Sequence, residues 1–357
     1  MIYVHSLGRA ARYFPERTAL AANGTRSTFR ELHARVGRIA AALTKHGFKA
    51  GDRLAILLPN EPDYIQLVYA CAWLGVTAVP LNTRLSVKEI DGILGDAQPR
   101  GLIRHSSLPV PTAQVSWQLV LDQEPLEVQS DSVPDPIYDP DAILALIYTS
   151  GTTGRPKGVE MRHANILENV YHTNFWFPLE EGAVHLHAAP IFHIADFPFM
   201  FAAPAFGACQ VTIPKFNPQT FCETVQRERV THTVLVPTMI NMLTQFPDLK
   251  KYDLTSLKHL GYGGSPMAPE LVHRTRQVLP NVKLVQVYGL SEAGFLTGLL
   301  DHEHTEDKLT SCGRPCLGID VRVVDPVREG SRNRANRRAG RSRREYHAQL
   351  LEQAGRN

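Results

Sequence analysis

Short apolar segments alternate with amphipathic helix patterns along most of the chain. "DRLAILLP" and "VTAVPLN" are apolar on both faces, and the segment between them, "PDYIQLVYACAWLG", predicts a helix that ends at Gly75. "TFRELHARVGRIAAALTKHG" predicts a second helix, with Thr28 and Glu31 in a capping-box pattern. Strands that are apolar throughout are typical of parallel sheets covered by helices on both faces. The alternation therefore predicts an α/β fold with mainly parallel sheets, in two α/β subdomains that join at about residues 140–165.

Charge is distributed unevenly along the chain. Residues 327–357 contain nine arginines and three glutamates, whereas residues 1–326 contain 29 basic and 32 acidic residues. The net charge of +3 therefore comes from the C-terminal stretch, and the body gives no electrostatic sign of a nucleic-acid partner. Five scattered cysteines, with no signal-peptide pattern and no convincing membrane span, predict a reducing, cytoplasmic setting without an integral membrane segment.

The stretch "YTSGTTGRPKGV", residues 148–159, has the composition of a phosphate-binding loop. Its glycines let backbone N–H groups turn toward an anion, its hydroxyls add donors, and Lys157 adds a positive charge. It is not a Walker A loop, because Lys157 precedes glycine and no hydroxyl residue follows. On composition alone, a polar surface turn explains the stretch equally well. The candidate phosphate-binding residues are Thr149, Ser150, Gly151, Thr152, Thr153, Gly154 and Lys157.

The whole stretch resembles the signature loop of the adenylate-forming superfamily, which includes acyl-CoA synthetases, luciferases and peptide-synthetase adenylation domains. The resemblance implies that the loop holds the β- and γ-phosphates of ATP while a carboxylate attacks the α-phosphate. The products of that step are an acyl-adenylate and pyrophosphate. The implied cofactors are ATP and Mg²⁺, with coenzyme A as co-substrate and a small carboxylic acid as the molecule activated. Such chemistry depends on positioning and charge neutralisation, which suits a loop of amides, hydroxyls and a lysine.

A histidine motif follows in the order that the family shows. "PIFHIADF" resembles the family's Pro-Leu-Phe-His-x-x-Gly motif, which implies that His193 lies at a gate between the acyl pocket and the nucleotide. Asp196 stands where glycine is usual, so the shape of the substrate channel is left open. Without the resemblance, His193 would be interpreted as a hydrogen-bonded structural histidine.

Two further motifs match the family in order. "GYGGSPMAP" resembles the loop beside adenine and the acyl group, and "VQVYGLSEAG" resembles Tyr-Gly-x-Thr-Glu with serine in place of threonine. By resemblance Tyr288 stacks on adenine, Ser291 contacts the α-phosphate and Glu292 helps ligate magnesium, a hard cation that prefers oxygen ligands. Taken alone, such a tyrosine and glutamate would be surface residues. The nucleotide-binding candidates from these motifs are Gly263, Gly264, Ser265, Tyr288 and Gly289, and the catalytic candidates are His193, Ser291 and Glu292.

The resemblance stops at about residue 326, after "SCGRPCLGIDVRVVD". The family next has an aspartate for the ribose hydroxyls, a hinge, and a small C-terminal domain with a catalytic lysine, and none of these motifs is found. We therefore expect residues 1–326 to be a truncated adenylate-forming large domain. It would lack the end of that domain and the small C-terminal domain.

Residues 327–357 admit three interpretations. An arginine arm could bind phosphate backbones, and a solvated, disordered tail is the simplest alternative. The third is a frameshift between roughly residues 327 and 336. Codons shifted by one nucleotide permit Gly-Glu-Leu-Val-Val-Arg-Gly-x-Asn-Ile-Met-Leu-x-Tyr-Trp-Asn-Lys-Pro, which resembles the family motif expected after the point of departure. We favour the frameshift and assign these arginines no function.

The expected function is ATP-dependent activation of a carboxylic acid, with fatty acids as the expected class, to acyl-adenylate and then acyl-CoA. Full activity is not expected of the truncated chain, because the ribose aspartate and the catalytic lysine are missing. One alternative is a non-catalytic protein that binds ATP or an acyl group. A nucleic-acid binder acting through the basic tail is a further alternative. The oligomeric state is not predicted.

Overall fold

The computed structural model describes residues 2–126, 133–149 and 156–322. The predicted phosphate-binding residues Ser150, Gly151, Thr152, Thr153 and Gly154, and the basic tail 327–357, lie outside the described residues.

The strands of the described ranges form two sheets. In chain order they are β1 (Thr18–Ala22), β2 (Thr25–Thr28), β3 (Arg53–Leu57), β4 (Thr77–Pro80), β5 (Gly101–Arg104), β6 (Trp117–Val120), β7 (Ile143–Thr149), β8 (Lys157–Arg162), β9 (Val184–His187), β10 (Cys209–Thr212), β11 (His232–Leu235), β12 (His259–Gly263), β13 (Lys283–Leu290), β14 (Gly294–Leu299) and β15 (Arg314–Pro315). The larger sheet has the order β15-β14-β13-β12-β11-β9-β10-β1-β2, and the smaller has the order β6-β5-β3-β4-β7-β8.

Helices connect most of these strands. In chain order they are α1 (Arg9–Tyr13), α2 (Phe29–Lys45), α3 (Pro62–Leu74), α4 (Val87–Ala97), α5 (His163–Trp176), α6 (Phe199–Ala205), α7 (Pro218–Glu228), α8 (Pro237–Thr244) and α9 (Pro269–Val278). A short π-helix spans Val4–Gly8, and 3₁₀ turns span Leu249–Lys251 and Asp301–Glu303.

Pairing within both sheets is mainly parallel. The antiparallel pairs are β1–β2, β7–β8, β13–β14 and β14–β15. The predicted α/β fold with mainly parallel sheets is therefore confirmed. The helix caps predicted from local sequence also form: Thr28 and Glu31 make a complete capping box at the start of α2, and Gly75 ends α3 in a left-handed conformation with φ of 67°.

The N-terminal strands join the larger sheet, far from their neighbours in sequence. β1 and β2 form a hairpin whose turn residues, Asn23 and Gly24, have φ of 48° and 82°. β1 then pairs in parallel with β10. The Asn-Gly pair is a strong hairpin signal, which the sequence analysis did not use.

The chain passes from the larger sheet to the smaller one between β2 and β3, and returns to the larger one after β8. β7, β8 and the start of α5 fall within residues 140–165, and both strands belong to the smaller sheet. The largest apolar core lies between the two sheets, where α2, α3, α5 and α6 contribute nearly half of its buried side chains. The sheets are thus packed through a shared layer of helices, which fixes the position of the loops at their edges.

Candidate functional site

Eight of the fifteen predicted site residues lie at or after the carboxyl ends of strands in the larger sheet. β9, β11, β12 and β13 pair in parallel, so their carboxyl ends meet at one edge. His193 lies after β9, Gly264 directly after β12, and Ser291 directly after β13. In open α/β sheets this edge is where ligands bind. Pairing of strands that are far apart in the sequence therefore brings three of the predicted motifs to the same edge of the sheet.

The glycine pair at the end of β12 has two separate steric roles. A Cβ atom on Gly263 would lie 2.3 Å from the carbonyl oxygen of Val287 on β13, so only glycine fits against the neighbouring strand. Gly264 has φ of +76°, a left-handed conformation that glycine adopts without strain. Gly264 and Ser265 are exposed after this turn. The chain thus leaves the sheet abruptly and presents its backbone to solvent.

The end of β13 carries an aromatic ring, and the hairpin tip directly after it carries a hydroxyl and a carboxylate. Tyr288 is half-buried, and burial raises the pKa of its hydroxyl. A Cβ atom on Gly289 would lie 2.1 Å from the carbonyl oxygen of Gly294, so this position is also restricted to glycine. Ser291 and Glu292 form the tip of the β13–β14 hairpin, where Ser291 is half-buried and Glu292 is exposed. An exposed carboxylate beside a hydroxyl can ligate a hard cation or contact a phosphate.

The predicted phosphate-binding loop is held by the smaller sheet. Thr149, the last residue of β7, pairs with Lys157, the first residue of β8. Lys157 is exposed. Below it, Gly158 leaves room for the ring of Tyr148, whose hydroxyl donates a hydrogen bond to Asp96. The hairpin therefore fixes both ends of the loop, while the role of the residues between them stays a prediction.

His193 is the exposed residue of a largely buried series of turns between β9 and α6. Its Nδ1 accepts a hydrogen bond from the backbone N–H of Ala195 at 3.2 Å, so the neutral ring carries its proton on Nε2. Loss of hydration lowers the pKa of His193, and the nearby Asp196 carboxylate opposes that shift. At neutral pH the ring is therefore an uncharged N–H donor. The local bond agrees with a structural histidine, and the exposed ring also leaves it able to contact a ligand.

Asp196 is wholly buried, which the sequence analysis did not foresee. Its carboxylate accepts hydrogen bonds from His187 Nδ1 at 2.9 Å and from His185 Nε2 at 3.3 Å. Burial alone raises the pKa of Asp196, but the two histidines more than compensate, so the pKa lies below its usual value. The signal for this arrangement in the sequence was the pair His185 and His187, which are separated by one residue on a buried strand.

Asn60 is a second residue that the sequence analysis missed. It follows β3 in the smaller sheet, and its side-chain amide donates to the carbonyl oxygen of Ala189 at 2.6 Å. In return, the backbone N–H of Ile191 donates to Asn60 Oδ1 at 3.0 Å. Asn60 therefore ties the segment that carries His193 to the other sheet.

Comparison with protein-family models gives one match that covers most of the chain. The model described as "AMP-binding enzyme" matches residues 7–335. Among curated proteins, a feruloyl-CoA synthase of Amycolatopsis sp. is 35% identical over 325 residues, which are 90% of this chain and 66% of the relative. A long-chain-fatty-acid–CoA ligase of Mycobacterium tuberculosis is 30% identical over 320 residues, 84% of this chain and 61% of the relative. The chain thus spans slightly less than two thirds of the length of these relatives.

Solved structures agree with this assignment. The inhibitor-bound N-terminal domain of FACL13 from Mycobacterium tuberculosis superposes with a TM-score of 0.81 at 28% identity, covering 88% of this chain and 82% of that one. O-succinylbenzoate coenzyme A synthetase from Bacillus subtilis, in complex with ATP and magnesium ion, gives a TM-score of 0.75 at 29% identity. That match covers 87% of this chain and 65% of the other.

Proposed function

The chain belongs to the AMP-binding enzyme family, and we propose that it uses ATP to activate a carboxylic acid as an acyl-adenylate, which coenzyme A then converts to acyl-CoA. The observation that carries the proposal is the shared edge of the larger sheet, where the His193 turn, the Gly264 loop and the Ser291 hairpin meet. The printed names of the relatives, both of which form acyl-CoA products, support the same reaction type.

In the first step a carboxylate oxygen attacks the α-phosphorus of ATP. The bond from that phosphorus to the oxygen bridging to the β-phosphate breaks, and pyrophosphate leaves with the electron pair. Lys157 and the loop that it ends would hold the β- and γ-phosphates. The Ser291 hydroxyl would donate to an α-phosphate oxygen, where charge increases in the transition state. Each group therefore positions the phosphates or neutralises their charge, and none needs to transfer a proton.

Adenine and magnesium have suitable partners at the same edge. The half-buried ring of Tyr288 offers a flat surface for adenine, and the exposed backbone at Gly264 and Ser265 offers polar contacts to its edge. The carboxylate of Glu292, beside the Ser291 hydroxyl, has the oxygen chemistry that Mg²⁺ prefers, and the ion would neutralise phosphate charge. We assign Glu292 as the protein ligand to Mg²⁺ on this basis.

His193 would act as a neutral donor in this reaction. Its Nε2–H remains available because Nδ1 is already bonded to the turn. An uncharged donor can orient the reacting carboxylate without forming a stable ion pair that would reduce its nucleophilicity. The turn that carries His193 would then lie between the acid and the nucleotide.

The proposal covers more than one class of carboxylic acid. One named relative acts on ferulate, an aromatic acid, and the other on long-chain fatty acids. The fatty acid expected from the sequence is therefore one class to be tested beside aromatic acids. No helix in the described part of the chain is long and apolar enough to cross a membrane. We propose a cytoplasmic setting from the five unpaired cysteines.

Exchange of labelled pyrophosphate into ATP tests the proposal on the complete 357-residue chain. We expect exchange at a reduced rate, because the motifs for the ribose aspartate and the catalytic lysine were not found in the sequence. The exchange should depend on Mg²⁺ and on at least one member of a panel of ferulate, coumarate, succinylbenzoate and fatty acids of graded length. ATP binding without exchange for any acid would instead support the non-catalytic alternative. A matched pair of variants, Lys157→Ala at the loop and Lys45→Ala at the end of α2, separates loss of the site from loss of surface charge.

A further inference from the structure

The segment between β9 and α6, residues 188–198, is a short series of turns that carries His193. The backbone N–H of His193 donates to the carbonyl oxygen of Pro190 at 3.1 Å, and the N–H groups of Asp196 and Phe197 both donate to the carbonyl oxygen of His193 at 3.0 Å. The backbone of His193 is therefore bonded directly to that of Asp196. Any force that fixes Asp196 also fixes the orientation of His193.

Asp196 is fixed by side chains of β9. Its two carboxylate oxygens accept from His185 Nε2 and His187 Nδ1, and all three side chains are at most 1% exposed. His187 Nε2 lies 3.0 Å from Gln210 Oε1 on the neighbouring strand β10. The network thus runs from the turn into the middle of the larger sheet.

The histidine rings are themselves held firmly. The ring of His185 stacks on Phe199 at a centroid distance of 4.5 Å and an interplanar angle of 2°. Phe177 meets His185 edge-on at 6.3 Å. Phe199 is the first residue of α6, directly after the turn. The turn is therefore tied to β9 both through Asp196 and through this aromatic contact.

Burying a carboxylate to hold a turn has a high cost in free energy. Removing a charge from water costs several kcal/mol unless hydrogen bonds compensate, so a carboxylate with no task would not be expected here. The backbone hydrogen bonds at His193, Asp196 and Phe197 already close the turn without the carboxylate. The added side chain therefore provides something beyond closure of the turn.

We propose, on the basis of the function proposed above, that Asp196 is a positioning residue that holds His193 at the reacting edge of the site by bonding its turn to His185 and His187. It acts only through His193 and touches neither ATP nor the acid. In this chain the turn is bonded to β9 through a buried carboxylate and two histidines.

The test uses the full chain with Asp196→Ala, Asp196→Asn and a matched control, Glu228→Gln. Glu228 is also a buried carboxylate, bonded to Arg26 and Arg227 at the end of α7. Its substitution should lower stability without reaching the turn. Asparagine at position 196 keeps an acceptor for one histidine, so it should restore most of what alanine loses.

The first readout requires no activity. In the wild type, NMR of ¹⁵N-labelled histidines should show His193 as the Nε2–H tautomer, and hydrogen exchange should show protection across residues 190–198. Asp196→Ala should mix the tautomers of His193 and raise amide exchange in the turn at least about tenfold, with β12 and β13 unchanged. Glu228→Gln should change neither signal.

The second readout is pyrophosphate exchange with the best acid. Asp196→Ala should lower kcat by roughly 10² and leave the KM for ATP within about twofold, because misplacing a positioned group by about 1 Å has an effect of that size. Asp196→Asn should recover most of the rate. If no acid supports exchange in the wild type, the proposed function fails, while the NMR and exchange data still decide whether Asp196 positions His193.

Several outcomes would overturn the proposal. One is an unchanged His193 tautomer and unchanged turn protection in Asp196→Ala. Another is protection lost equally throughout the chain, because that would make Asp196 a general stability residue. The ligand atoms of His185, His187 and Asp196 lie within 4.8 Å of one another. A stoichiometric divalent metal in the purified protein that is lost in Asp196→Asn would therefore show a metal centre instead.

Discussion

The two kinds of turn at the site edge are stabilised in different ways. The turns after β12 and β13 depend on glycines where any larger residue would collide with a neighbouring strand. The His193 turn depends on side chains, with Asn60 reaching it from the smaller sheet and Asp196 anchoring it to β9. Backbone geometry therefore shapes the predicted nucleotide side of the site. Ionisable core residues shape the side assigned to the acid.

Low pH should destabilise the region around the His193 turn, which depends on side chains, before it affects the glycine-dependent turns. Burial lowers the pKa of His232 to about 3 and that of His185 to about 4, and the two residues are neighbours on adjacent strands. A histidine with a depressed pKa in the folded state contributes stability above its ordinary pKa of about 6.5, and that stability is lost as the pH falls toward the folded value. We expect the free energy of unfolding to fall by several kcal/mol in total between pH 6.5 and pH 3, because both histidines must gain a proton.

Urea unfolding measured at intervals of pH checks this expectation. His232→Gln should flatten the pH dependence, whereas the exposed His302→Gln should leave it unchanged. Parallel curves for wild type and His232→Gln would show that His232 does not have the assigned pKa.

The glycine-dependent turns should be broken by a single methyl group. Gly263→Ala places a Cβ atom 2.3 Å from a carbonyl oxygen of β13, so the two strands must separate. We expect a loss of about 3 kcal/mol in the free energy of unfolding at neutral pH. Gly92→Ala in α4 is the matched control, because a Cβ atom there meets nothing within 4 Å and alanine favours helix. A wild-type unfolding curve for Gly263→Ala would contradict the steric account.

Asn60 connects the side-chain-held turn to the smaller sheet. Asn60→Ala removes the amide that donates to the carbonyl oxygen of Ala189 and the oxygen that accepts from the N–H of Ile191. Both backbone groups are then left unpaired. The expected loss is about 2 kcal/mol, with faster hydrogen exchange at residues 188–198. The exposed Asn281→Ala should cost less than about 0.5 kcal/mol. Unchanged exchange in the turn would mean that Asp196 holds it alone.

The smallest expected effect on stability is at Ser291, which we propose contacts the ligand but does not support the fold. Ser291→Ala should leave the unfolding curve within about 0.5 kcal/mol of wild type, because Ser291 lies at a hairpin tip. Pyrophosphate exchange should nevertheless fall by at least about tenfold, since one donor to the α-phosphate is lost. Ser27→Ala, a half-buried serine at the far edge of the larger sheet, should change neither quantity. Equal activity of the two variants would remove Ser291 from the site.

Local sequence predicted the parts of the fold that depend on near neighbours. The capping box at Thr28 and the left-handed end of α3 at Gly75 formed as expected, because both depend on residues within one helical turn. Pairing of β1 with β10 joins residues about 190 positions apart, which no local pattern encodes. The Asp196 network was missed for the same reason. The sequence shows that Asp196 differs from the family motif, but it does not show the partners of the network on β9 and β10.

Transfer of an oxygen atom from the acid to AMP distinguishes activation through an acyl-adenylate from other routes. The complete chain is incubated with ATP, Mg²⁺ and an acid whose carboxylate carries ¹⁸O, and hydroxylamine or coenzyme A traps the acyl group. If a carboxylate oxygen attacks the α-phosphorus, the AMP released must contain one ¹⁸O atom from the acid, which mass spectrometry detects. AMP without the label, or ADP as the nucleotide product, would contradict activation through an acyl-adenylate.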